Sequence, residues 1–119
     1  MSKIKKRMLG LVLGMCLFGG SVGSCFAAAN NITVDVTPSR VVGKFEYGEA
    51  GHQIKVTVSY LEIDSSGYFK SGEVSDTQFG NVTTAYVSRN SLAGWQYISA
   101  YAVGSVDGVK VAMTGEAYA

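Results

Sequence analysis

Few side chains in this 119-residue chain have the type and spacing to do chemistry. His52 is the only histidine. As a general base it would need a nucleophile to serve, and the serines lie in turns or alternating stretches that mark none of them out. It opens an extended stretch after a glycine turn, where an exposed, solvated histidine is expected. Glu62 and Asp64 stand two apart on one extended segment, so they project to the same side at roughly 7 Å, within the range of paired glycosidase carboxylates. Any two acids at that spacing do the same, and a solvated strand end is the plainer reading. Together with Ser65, Ser66 and Gly67 they also offer oxygen ligands to Ca²⁺, but without the spacing of a dedicated calcium loop. A centre built from His and Cys is excluded by one histidine and two cysteines, Cys16 and Cys25, that both fall in the leader described below. No catalytic, cofactor-binding or metal-binding residue is assigned, and the protein is read as not an enzyme.

Recognition through aromatic rings is the chemistry that remains. Trp95, Tyr97, Tyr101 and Tyr118 crowd the last quarter of the chain. Rings standing on a flat sheet can stack on sugar rings or on an apolar protein surface, with hydroxyls nearby for hydrogen bonds. The competing explanation is that tyrosine is a common cross-strand filler on half-exposed sheets.

These rings need a hairpin to align them, and Asp107-Gly108 supplies its turn. Both central positions of a type I′ turn require positive φ, which Gly takes freely and Asp tolerates. With those two residues as the loop, Val106 opposes Val109. One face then carries Ile98, Ala100, Ala102, Gly104 and Val106 against Ala117, Gly115, Met113, Val111 and Val109, with no polar side chain among them. The other presents Trp95, Tyr97, Ser99, Tyr101, Val103 and Ser105 against Tyr118, Glu116, Thr114, Ala112 and Lys110, with Tyr97 opposite Tyr118. The apolar face is expected inward and the rings outward.

The rest of the chain reads as further strands. Ile32, Val34 and Val36 alternate with polar residues until Pro38, the single proline. Val41, Gly43, Phe45 and Tyr47 share one side of a second strand. A long third runs from His52 to Asp64, with a bulge or a change of sheet expected near Tyr60-Leu61, where Leu61 and Ile63 break the phase. Between Tyr68 and Gly80 the signal is weak, consistent with a short edge strand and a loop. Asn81 to Ser88 alternates again. Six or seven short strands with frequent turns predict an all-β fold, a small antiparallel β-sandwich over residues 30–119, with a closed barrel as the alternative. The small residues Ala100, Ala102 and Gly104 would leave room for Phe45, Tyr47 or Val56 from the opposite sheet.

Residues 1–29 have the pattern of a signal peptide. Lys3, Lys5, Lys6 and Arg7 precede an apolar run from Met8 to Phe18, too short to span a bilayer, and Ala27-Ala28-Ala29 suits a signal peptidase. Secretion is the expected outcome. Alternatively Cys25, after Ser21-Val22-Gly23-Ser24, would be lipidated and would tether the domain to a membrane at the cell surface. The lysine-rich, short leader is of bacterial type, in which the sequons at Asn31 and Asn81 would go unused. Without the leader, six basic residues face nine acidic ones and no basic run survives, so nucleic acid is an unsuitable partner. A cysteine-free exported domain must be held by core packing alone.

Gly43-Lys44-Phe45-Glu46-Tyr47-Gly48 resembles the Gly-x-aromatic-x-Tyr-Gly opening of lactococcin-type bacteriocins, over six residues and with Phe where that family has Trp. The resemblance implies a secreted antibacterial β-sandwich, the alternative to the leading expectation of a secreted or cell-surface, non-enzymatic bacterial protein that binds cell-wall glycan or another protein through its aromatic hairpin face.

Overall fold

The computed structural model describes residues 30–119. The leader and the lipidation site at Cys25 lie outside the described residues. Eight strands follow one another, against the six or seven expected, because the returning arm of the hairpin is broken in two: β1 (Asn30–Thr37), β2 (Arg40–Tyr47), β3 (Gln53–Asp64), β4 (Phe69–Phe79), β5 (Thr84–Asn90), β6 (Trp95–Val106), β7 (Val109–Met113) and β8 (Ala117–Tyr118). They form two antiparallel sheets, one ordered β1-β2-β5 and one ordered β4-β3-β6-β7, with β8 also pairing β6. No helix occurs among the described residues.

Alternation decides what is inside. Ile32, Val34 and Val36 of β1, Val41 and Phe45 of β2, and Ile54, Val56 and Val58 of β3 are all buried, while their neighbours in sequence face out or lie at the margin. The two sheets approach closely because small residues meet large ones. A Cβ added to Gly104 would lie 2.6 Å from Phe45 Cδ1, and one added to Gly43 would collide with Val58 Cγ2. Phe45 of the smaller sheet thus fills the space that the small residues of β6 leave, as expected of it, whereas Val56 pairs with Gly104 in the same sheet and does not face it.

The β6–β7 turn has the expected form, with Asp107 at φ 52° and Gly108 at φ 84°. Its register departs from the expected one after two pairs. Val106 opposes Val109 and Ser105 opposes Lys110, but Gly104 opposes Ala112 and Ala100 opposes Ala117. Val111 is the extra residue of a bulge, so beyond it Ala112 and Thr114 turn inward while Met113 is exposed; Val109, before the bulge, keeps its expected partner and is exposed beside the turn. Thr114 takes up the slack by accepting the Ala102 N–H on its Oγ1 at 2.8 Å.

A second irregularity matters more. Leu61 pairs with Ser99, yet the next residue, Glu62, pairs with Tyr97, leaving Ile98 without an opposite number. The irregularity falls near the expected place, but the extra residue belongs to β6 rather than β3. The third strand therefore keeps one phase from Ile54 to Glu62, and β6 changes phase between Tyr97 and Ala100. Between Tyr68 and Gly80 the chain forms an 11-residue edge strand, β4, much longer than the weak pattern suggests.

Candidate functional site

The phase change in β6 divides the four candidate rings. Before the bulge, side chains of β6 that would have faced solvent point inward. Tyr97 is only 2% exposed, which overturns its assignment to the outer face, and it does not oppose Tyr118, which pairs with Ser99. Trp95 is half-buried on the same inward-facing register as Tyr97, with Lys70 Nζ 4.9 Å from its ring centroid. Beyond the bulge the expected orientation holds: Tyr101 and Tyr118 are exposed at 38% and 42%.

Tyr97 belongs to a polar cluster that closes one end of the sandwich. Its ring meets Tyr60 edge-on at 5.2 Å and 80°. Arg89, reaching from β5 in the opposite sheet, donates from Nη1 to the Tyr97 hydroxyl at 2.6 Å and lies over the Tyr60 ring at 4.7 Å. The same Nη1 is 3.6 Å from Glu62 Oε1, and Lys70 Nζ is 4.0 Å from Oε2. Burial pushes the Tyr97 hydroxyl above its ordinary pKa, and the hydrogen bond from Arg89 pulls the other way. Glu62 is fully buried, contrary to the solvated strand end expected of it. A carboxylate sealed behind two tyrosines and an arginine is not presented to a polymer. Asp64 is spent locally: its Oδ1 accepts the Ser66 N–H and hydroxyl and the Tyr68 N–H, which together hold its pKa below the ordinary value.

His52 is also not the free surface group expected. Its Nδ1 stands 2.6 Å from Asp107 Oδ2 and its Nε2 3.1 Å from Glu49 Oε1. With a carboxylate at each nitrogen both must donate, so the imidazolium is favoured and its pKa is raised, chiefly by the Asp107 bond. Asp107 also accepts the Gln53 N–H at 2.9 Å, and the clamp ties the β6–β7 turn to the start of β3. Among the described residues no group of three His, Cys, Asp or Glu is placed to hold a metal ion.

The exposed rings stand beside a groove of about 350 Å³ on the outer face of the five-stranded sheet. Register builds it. Across β4, β3 and β6, Glu73 opposes Ser59 and Ser59 opposes Tyr101; one step along, Ser71, Leu61, Ser99 and Tyr118 form the next row. Glu116 closes the far side. Each carboxylate is oriented by a serine: Ser59 Oγ donates to Glu73 Oε2 at 3.3 Å, and Ser99 Oγ donates to Glu116 Oε2 at 2.8 Å. Tyr118 adds a hydroxyl donated to Glu116 Oε1 at 3.4 Å. The groove thus offers ring faces, hydroxyls and two anchored negative charges. Glu73 escaped the sequence reading because it lies in the stretch with the weakest pattern.

No family model, curated protein or solved structure matches this chain. The hexapeptide that resembles a bacteriocin opening lies in and just after β2, where Gly43 and Phe45 are committed to the inter-sheet packing described above.

Proposed function

We propose that the chain is a secreted or cell-surface, non-enzymatic binding protein of a bacterium, whose ligand lies along the outer groove between β4 and β8. The carrying observation is that Tyr101 and Tyr118 remain exposed on the outer face of the sheet beside serine-oriented Glu73 and Glu116. Exposed rings with fixed acceptors suit stacking on a sugar and hydrogen bonding to its hydroxyls, or seating a protein side chain. Both formal charges of the groove are negative, so the fitting ligand is a neutral or cationic glycan of the cell wall, or a basic segment of another protein. An anionic polymer is disfavoured by like charge. Trp95 and Tyr97 take no part in this surface.

Sedimentation with isolated cell-wall sacculi tests the reading. Tyr101→Ala with Tyr118→Ala is expected to abolish co-sedimentation while moving the thermal midpoint by only a few degrees. Glu73→Gln with Glu116→Gln should weaken binding without unfolding. Undiminished binding of the tyrosine pair variant, or its failure to fold, would remove the groove from consideration.

A further inference from the structure

The free edge of β4 is unusual for a small exported sandwich, because it carries few of the devices that keep strand edges apart. It runs for 11 residues with no proline, and its pairing with β3 has no bulge. The bond from the Asp64 N–H to the Tyr68 C=O at 3.0 Å fixes which amides face β3: those of Tyr68 and of every second residue after it. Phe69, Ser71, Glu73, Ser75, Thr77 and Phe79 therefore turn their N–H and C=O groups to the open side. All six are exposed, Phe69 at 63% and Phe79 at 75%. The charges that point inward from β4 do not guard this edge. Lys70 is engaged by Glu62 and Trp95, and Asp76 Oδ2 accepts the Tyr86 N–H of β5 at 3.1 Å.

The sequence of β4 is self-complementary about Val74. Laid antiparallel on a second copy of itself with Val74 on the two-fold axis, Phe69 meets Phe79, Lys70 meets Gln78, Ser71 meets Thr77, Gly72 meets Asp76, and Glu73 meets Ser75. No like charges are opposed, and aromatic pairs close both ends. The alignment two residues back, centred on Glu73, sets Glu73 against its own copy and separates the phenylalanines. The intervening odd register would oppose inward to outward side chains and is forbidden by the pleat. Every amide that faces the open edge finds a partner in the Val74-centred alignment.

We infer that two copies of this chain pair through β4, centred on Val74, to form one continuous ten-stranded sheet. The two-fold axis of an antiparallel pair stands perpendicular to the sheet, so both outer grooves face the same way. Ser71 and Glu73 then put each groove beside the seam. The dimer does not depend on what the grooves bind.

Sedimentation equilibrium of the purified chain, from micromolar to near-millimolar concentration, tests it. The wild type is expected to move from the mass of one chain to that of two and stop there. Ser75→Glu, which opposes Glu73 twice across the axis, should raise the dissociation constant about fivefold to tenfold, and Ser75→Lys should lower it by a similar factor. Ser75→Pro removes an edge-facing N–H and should leave a single chain. The Glu and Lys variants change an exposed outer position, so both should melt like the wild type. A single-chain mass throughout, growth beyond two chains, or dissociation constants equal in the Glu and Lys variants would each overturn the assignment.

Discussion

Replacing Arg89 with Met is the sharpest test of how the end of the sandwich is held. The guanidinium is the nearest cation to a carboxylate with no exposed surface, and it is also hydrogen-bonded to Tyr97. Methionine keeps much of the packing volume but leaves Glu62 facing only Lys70, whose side chain is 53% exposed and 4.0 Å away. Removing one member of a buried pair typically costs ~3–5 kcal/mol, because the remaining charge stays desolvated. Here 24% of the Arg89 side chain still meets solvent, which places the cost near the lower figure. A loss of ~3 kcal/mol lowers the melting midpoint of a domain this size by roughly 12–24 °C. Adding Glu62→Leu to Arg89→Met removes the stranded charge and should restore most of the loss, a coupling of ~1–3 kcal/mol. Urea unfolding followed by the fluorescence of Trp95, the only tryptophan, measures the wild type, Arg89→Met, Glu62→Leu and the double variant. A loss under ~1 kcal/mol for Arg89→Met, or a double variant equal to the sum of the singles, would refute the argument.

Gly104→Ala drives a Cβ to 2.6 Å from the Phe45 ring and is expected to cost ~1–3 kcal/mol in urea midpoints, with Phe45→Leu in the same chain giving part of it back. The His52 clamp predicts a pH window. The folded pKa of His52 is raised, so its stabilisation is complete below about 6.5 and is lost as pH rises through the raised value. The folded pKa of Asp107 is lowered, so its share is present above about 4 and is lost as pH falls through the lowered value. The urea-midpoint gap between wild type and His52→Gln should therefore be widest between those limits and shrink on either side; a gap flat across the range would dismiss the clamp.

The two-sheet architecture was legible because alternation survives in Ile32-Val34-Val36 and in Ile54-Val56-Val58, and the turn was legible because Asp107-Gly108 meets a backbone demand that few pairs satisfy. Register was not legible beyond that turn. A bulge adds one residue without any composition of its own, and Val111 and Ile98 look like ordinary members of an alternating run. The position of Tyr97 followed from carrying the phase of Ala100 and Ala102 back through Ile98. One residue of slippage sent the ring inward, to Arg89. The signal that would have corrected it lay on another strand: Glu62 continues the buried phase of β3 without a break, and a buried acid demands a partner that the outer face does not supply. The edge strand β4 was faint for a related reason, since Lys70, Asp76 and Gln78 stand where apolar residues would have announced an inner face.

Those polar inner positions follow from a mismatch in sheet width. Three strands cover a sheet that continues through β4, β3, β6 and β7, so the covering is complete over β3 and β6 and runs out towards both margins. At one margin the overhanging strand satisfies its inner face with charges that reach back under cover, Lys70 to Glu62 and Asp76 to the Tyr86 N–H of β5. At the other, β7 is short, bulged and partly exposed through Val109 and Met113. The bulged margin is poorly shaped for another strand, whereas β4 carries no bulge and its inward charges are already engaged. The outer face has no covering sheet, and only near Ser99, under Glu116, is it closed off from solvent. Four rings stand exposed there, Phe69 and Phe79 on the open edge strand and Tyr101 and Tyr118 beside the groove; none gains anything for the core by its exposure, and that is the physical ground for the two surfaces proposed, the edge and the groove.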